Sequence, residues 1–66
     1  MRRIDGYLSR KAQDIEPTAL VWCDEFDTEQ EWSLESEVFD PVGLGDSFGM
    51  ARQALTAWMH SQRAKR

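Results

Sequence analysis

Residues 18–39 read TALVWCDEFDTEQEWSLESEVF, and this stretch decides the fold. Its first part, residues 18–26, is rich in β-branched and aromatic residues, and its last part, residues 31–39, alternates apolar and polar side chains as a half-buried strand does. The short polar segment between them, residues 27–30, suits a hairpin loop. The stretch therefore predicts an antiparallel β-hairpin over residues 18–39.

The length of the loop determines which side chains share a face, because a shift of one residue turns a whole strand over. An odd loop, such as residues 28–30, collects the large apolar side chains on one face, whereas an even loop divides them between both faces. We expect the odd loop. The apolar face would then carry Leu20, Trp22, Phe26, Trp32, Leu34 and Val38. The opposite face would carry Glu25, Glu31, Glu35 and Glu37, with the smaller Ala19, Val21 and Cys23.

Residues 46–63 show the strongest helical pattern in the chain. Their apolar positions form one continuous face at a period of 3.6 residues. These positions are Met50, Ala51, Ala54, Leu55, Trp58 and Met59. Asp46 or Ser47 is suited to cap the start of this helix, and residues 40–45, with Pro41 and two glycines, predict a turn-rich connection before it.

Residues 1–16 leave the architecture open. Ile4, Leu8, Ala12 and Ile15 recur at helical spacing, but Gly6 weakens a helix there. Two strands alone are marginally stable, so a third strand from this segment, a second helix, or a second copy in a homodimer must complete the fold. We expect a single small α+β domain over residues 1–66, with two layers formed by the hairpin and the C-terminal helix.

Charge is distributed unevenly along the chain. All eight Lys and Arg lie in residues 2–11 or 52–66, whereas residues 24–46 contain nine carboxylates and no basic residue. Like charges opposite one another on paired strands are destabilising, so this excess indicates a basic partner surface. The candidate partner-binding residues are Glu25, Asp27, Glu29, Glu31, Glu35 and Glu37.

The sequence predicts neither catalysis nor a cofactor. Cys23 and His60 fall in different elements, so a nucleophile paired with a base is not expected, and one Cys with one His cannot complete a zinc site. A single cysteine forms no internal disulfide, which favours a cytoplasmic location. No apolar stretch approaches the roughly 20 residues that span a bilayer, so we expect no contact with membranes.

Two groups of proteins share features with this chain. Small phage-encoded inhibitors, including some anti-CRISPR proteins, are similar in size, in acidity and in lacking catalytic residues. That resemblance implies a nucleic-acid mimic whose carboxylates occupy phosphate-binding Arg and Lys sites of a basic protein. We do not expect direct nucleic-acid binding, because the isoelectric point is about 4.7 and the basic residues lie near the chain ends.

The second resemblance concerns residues 45–55, GDSFGMARQAL. This stretch is similar to the Gly-Asp-Ser/Thr start of the helix in HicB-type antitoxin domains, where the helix also follows strands. It implies an antitoxin-like or regulatory ββα unit that acts by oligomerisation. The likeness does not extend to the longer sheet that those domains carry.

Overall fold

The computed structural model describes residues 1–65, which form a four-stranded antiparallel sheet and two helices. In chain order the elements are β1 (Arg2–Ile4), α1 (Gly6–Gln13), β2 (Leu20–Phe26), β3 (Glu29–Glu35), β4 (Val42–Gly45) and α2 (Phe48–Ala64). The strands lie side by side in the order β1-β2-β3-β4. The predicted α+β class is confirmed, and residues 1–16 supply both a strand and a helix.

The hairpin between β2 and β3 has a two-residue turn, so the predicted odd loop is wrong. Phe26 pairs with Glu29, which leaves only Asp27 and Thr28 in the turn. Asp27 has a φ of 50°, in the left-handed region that Asp tolerates better than most residues. Two-residue turns with positive φ match the twist of the flanking strands. This local preference of the turn outweighs the placement of all large apolar side chains on one face, which the odd loop would have allowed.

The even turn changes which β2 residues face the helices. On the inner face, defined as the sheet face that both helices cover, Val21 pairs with Leu34 and Cys23 with Trp32, and all four are buried. Trp32 and Leu34 were predicted there correctly. The predicted positions of Leu20, Trp22, Phe26 and Val38 on this face are wrong. The first three lie on the uncovered outer face, and Val38 follows the end of β3 and is 67% exposed.

Helix α1 packs on β2 and is fixed to it by Ser9. The buried Ser9 hydroxyl accepts a hydrogen bond from the backbone N–H of Val21 at 2.8 Å. Asp5 caps the helix, since its carboxylate accepts from the Leu8 N–H at 2.8 Å. Leu8 and Ala12 point into the core. The short side chains of β2 on this face leave room for the helix to pack closely.

Strand β4 lies within residues 40–45, for which the sequence predicted a turn-rich connection. That prediction is wrong for residues 42–45. Leu34 pairs with Val42 and Trp32 with Gly45, and a bulge interrupts the register between these pairs. A bulge inserts one extra residue and redirects its side chain. Here Leu44 is turned into the core, where 2% of its surface is exposed.

Helix α2 starts two residues later than the predicted residue 46 and ends one residue after 63. Ser47 is the N-cap, and its hydroxyl accepts from the Met50 N–H at 3.2 Å. Ala51 and Leu55 are buried on the predicted apolar face, but Met50 is 52% exposed because it lies beside Gly45 at the sheet edge. Neither helix within residues 1–65 is long and apolar enough to cross a membrane.

We expect Gly45→Ala to destabilise the fold by about 1–3 kcal/mol, because Gly45 has a φ of 112° that side chains rarely adopt. An added Cβ would also approach the Met50 Cβ to 3.0 Å. Urea unfolding followed by tryptophan fluorescence measures the change. Gly43→Ala is the matched control, since a Cβ there meets nothing within 4 Å. Equal stability of the two variants would contradict the expectation.

Candidate interaction surface

The two layers of the fold carry opposite charge. Neither α1 nor α2 contains Asp or Glu, and all twelve carboxylates of the protein lie in the strands and connecting segments. The helices contain Arg10, Lys11, Arg52 and Arg63. The acidic part of the molecule is therefore the sheet with its turns.

The outer face of the sheet is partly neutralised by Arg2. Its guanidinium lies 4.4 Å from the centroid of the Trp22 ring, a cation–π arrangement. The same side chain forms ion pairs with Glu35 and, at 3.9 Å, with Asp24. One arginine thus covers the central aromatic side chain of this face and lies against two carboxylates.

The sequence predicted that Glu25, Glu31, Glu35 and Glu37 share one strand face, with Asp27 and Glu29 in the loop, and the shared face is wrong. Glu25 pairs across the hairpin with Gln30, whereas Glu31 and Glu35 pair with Asp24 and Leu20 and lie on the outer face. Successive residues of a strand point to opposite faces. Glu25 is therefore on the inner side of β2, where its carboxylate pairs with Arg3.

Glu37 lies at the end of the sheet away from the hairpin turn. It follows the last residue of β3, and its backbone N–H donates to the Thr18 hydroxyl at 3.0 Å. Thr18 precedes β2, whose other end leads into the turn. Glu37 is therefore separated from the carboxylates at the turn by the length of the hairpin.

The remaining candidates, Asp27, Glu29 and Glu31, lie at or next to the hairpin turn, and Asp46 joins them. β4 ends at Gly45, opposite Trp32, so Asp46 comes to the turn end of the sheet. Glu29 and Asp46 line one depression together with Thr28 and Gln30. We call Asp27, Glu29, Glu31 and Asp46 the tip cluster. Among residues 1–65 none of these four carboxylates forms an ion pair with Lys or Arg.

Exposed apolar side chains lie beside the tip cluster. A shallow cavity of about 390 Å³ is lined by Phe26 and Met50, both more than half exposed, and by Glu29, Glu31 and Asp46. The buried indole of Trp32 contributes to the same cavity, and its N–H has no acceptor among residues 1–65. Apolar anchors surrounded by charged groups are typical of protein interfaces.

The tip also exposes the backbone of β3. The N–H and carbonyl of Glu25 both bond to Met1, so they point toward β1. In an antiparallel pair the residue opposite such a position also points away from its neighbour. That residue is Gln30, whose backbone groups therefore point to the β4 side of β3. β4 ends before reaching this position, so the tip offers a short free strand edge.

Sequence reasoning missed Asp46 as a member of this surface. The sequence indicated Asp46 as a possible helix cap. Its position at the tip depends on the pairing of β4 with β3, which was not predicted. Within residues 1–65 no group of three or more His, Cys, Asp or Glu side chains is arranged to hold a metal ion.

Comparison with known proteins identifies no relative of this chain. No family model, no curated protein and no solved structure matches it.

Proposed function

We propose that this protein is a non-catalytic interaction module whose tip cluster docks on a basic surface of a partner protein, in a cytoplasmic setting. The observation that carries the proposal is the grouping of four unpaired carboxylates at the turn end of the sheet. Glu25 and Glu35 form ion pairs with Arg3 and Arg2, while the tip cluster has no Lys or Arg ion-pair partner among residues 1–65. Four uncompensated carboxylates in one place favour a cationic neighbour.

The surroundings of the tip cluster support an interface. Phe26 and Met50 present exposed apolar surface next to the carboxylates. Burial of such anchors contributes most of the affinity of an interface, whereas the charges around them govern specificity and the rate of encounter. The free backbone edge at Gln30 adds hydrogen-bonding groups that a partner segment can pair with.

A basic surface that normally binds nucleic acid matches this chemistry. The Arg and Lys side chains of such a surface are spaced to contact phosphates. In a protein that mimics nucleic acid, carboxylates take the positions of those phosphates. This is the mode of action implied by the likeness to small phage-encoded inhibitors. Nucleic acid would then compete with the protein for its partner.

Affinity capture from extracts of the native cells tests the proposal. The tagged wild type and the tagged variant Glu29→Lys/Glu31→Lys are each used for capture. The captured partner is then purified and titrated with the wild type and with the variant, at low and at high salt. We expect the double variant to bind at least about tenfold more weakly, and wild-type association to slow as salt rises. A nucleic-acid oligonucleotide added to the titration should displace the wild type.

Glu37→Lys/Asp40→Lys is the matched control. It makes the same change in net charge, and both residues are exposed outside the tip cluster. This control should bind like the wild type. Equal binding by the tip variant, or equal loss in both variants, would exclude the tip cluster as the docking site.

A second candidate function, an antitoxin-like or regulatory domain that acts by oligomerisation, is favoured by the outer face. Neither α1 nor α2 covers this face, and it presents the exposed Ile4 together with the half-buried Leu20 and Trp22. Light scattering on the purified chain separates the candidates. A mass of twice 7.7 kDa at low concentration would favour the second, and a monomer the first.

A further inference from the structure

A groove between the two helices collects basic side chains. It has a volume of about 280 Å³ and is lined by Tyr7, Lys11, Arg52, Gln53 and Thr56. Tyr7 and Lys11 are four residues apart on α1, and Arg52 and Thr56 are four apart on α2. Residues at this spacing lie on one side of a helix. The groove therefore runs along both helices for about one turn.

The cations of the groove have no anionic partner within the described chain. Neither helix contains a carboxylate, and no ion pair involves Lys11 or Arg52 among residues 1–65. Lys11 is half-buried, and its ammonium lies 5.1 Å from the centroid of the Tyr7 ring. Two positive charges that line one groove create a local positive potential that favours an anionic ligand.

The basic side chains continue beyond the groove. Arg63 follows Arg52 by eleven residues, which is about three turns, so it lies on the same side of α2 and roughly 16 Å further along the axis. A single anion would occupy only the groove. A polymer with regularly spaced anions would contact the groove and Arg63 together.

We propose that the groove and Arg63 bind the phosphate backbone of a nucleic acid. Lys11 and Arg52 would contact adjacent phosphates, with the Tyr7 hydroxyl and the Gln53 amide as neutral donors beside them. The Thr56 hydroxyl lines the groove but donates its proton to the Arg52 carbonyl at 2.9 Å. The low isoelectric point argued against nucleic-acid binding, but it reflects the net charge of the whole chain. The fold places the acidic and the basic side chains of the two layers apart, so a local basic surface remains. The acidic tip cluster lies on the strand layer, outside the groove.

Fluorescence anisotropy with a labelled single-stranded oligonucleotide, and with a duplex of the same sequence, tests the proposal on the full chain. We expect one or both to bind the wild type, with affinity that falls as salt rises. Lys11→Glu/Arg52→Glu should bind at least about tenfold more weakly, and the slope of log affinity against log salt should decrease by about 1 to 2. Circular dichroism checks that the variant is folded, and Lys11→Gln/Arg52→Gln replaces it if it is not.

Arg10→Glu/Lys65→Glu is the control with the same change in net charge outside the groove. It should retain more affinity than the groove variant. Absence of oligonucleotide binding by the wild type, or equal loss in both variants, overturns the proposal. Binding to vesicles that contain phosphatidylserine, without binding to either oligonucleotide, overturns it in favour of a membrane surface. Glu29→Lys/Glu31→Lys should not weaken oligonucleotide binding, because it adds positive charge outside the groove. This variant therefore separates failure of the groove proposal from failure of the proposed function.

Discussion

Val21→Asp should abolish folding, whereas Leu20→Asp should leave the protein folded. Val21 is fully buried on the inner face beneath α1, and its neighbour Leu20 lies on the outer face and is only half-buried. A carboxylate without a partner costs several kcal/mol when it is buried. A chain of this length has a total stability of about 3–10 kcal/mol, so this single change removes most or all of it.

Circular dichroism and urea unfolding measure both variants. Leu20→Asp introduces the same charge one residue away, so it controls for the added negative charge of the variant. The odd-loop register predicts the reverse order, with Leu20 in the core and Val21 outside it. A folded Val21→Asp beside an unfolded Leu20→Asp would therefore show that the two-residue turn is wrong.

Leu44→Ala should destabilise the protein by about 2–5 kcal/mol, the range for removing a buried leucine side chain. Leu44 is the residue that the bulge of β4 turns into the core. Its loss leaves a cavity at the contact between β4 and α2, and the flanking Gly43 and Gly45 have no side chains that could fill it. Urea unfolding followed by tryptophan fluorescence gives the change in the free energy of unfolding.

Val38→Ala is the control for removing an aliphatic side chain from a connecting segment. Val38 is 67% exposed, so its truncation should change stability by less than about 0.5 kcal/mol. If Leu44→Ala matched this control, residues 42–45 would behave as the loose connection that the sequence indicated and not as a packed strand.

Local patterns were enough to predict the class of the fold and its main helix. The 3.6-residue period of α2 has no competing interpretation, and its cap is confirmed at Ser47. The register of the hairpin could not be predicted in the same way. It depends on whether Asp27 accepts a positive φ, and this choice competes with the packing of every side chain on β2. The predicted register gave the packing of the apolar side chains more weight than the conformation of the turn.

Strand β4 and the tip cluster were harder to predict for a related reason. Val42 and Leu44 are separated by glycine, and such a segment has low strand propensity by itself. It becomes a strand because β3 offers a pairing edge and the core accepts Leu44. Asp46 reaches the tip only through this pairing. Nor could the sequence show that Arg2 and Arg3 pair with Glu35 and Glu25, since these contacts span more than twenty residues.

The strand layer carries an excess of carboxylates and the helix layer carries only basic charges, so the molecule is an electric dipole. A dipole experiences a torque in the field of a charged surface, so the protein is turned before contact, with the strand side toward positive partners and the helix side toward negative ones. The effect persists when the net charge is zero. Near its isoelectric point the protein should therefore precipitate by stacking of opposite faces, and added salt should dissolve it.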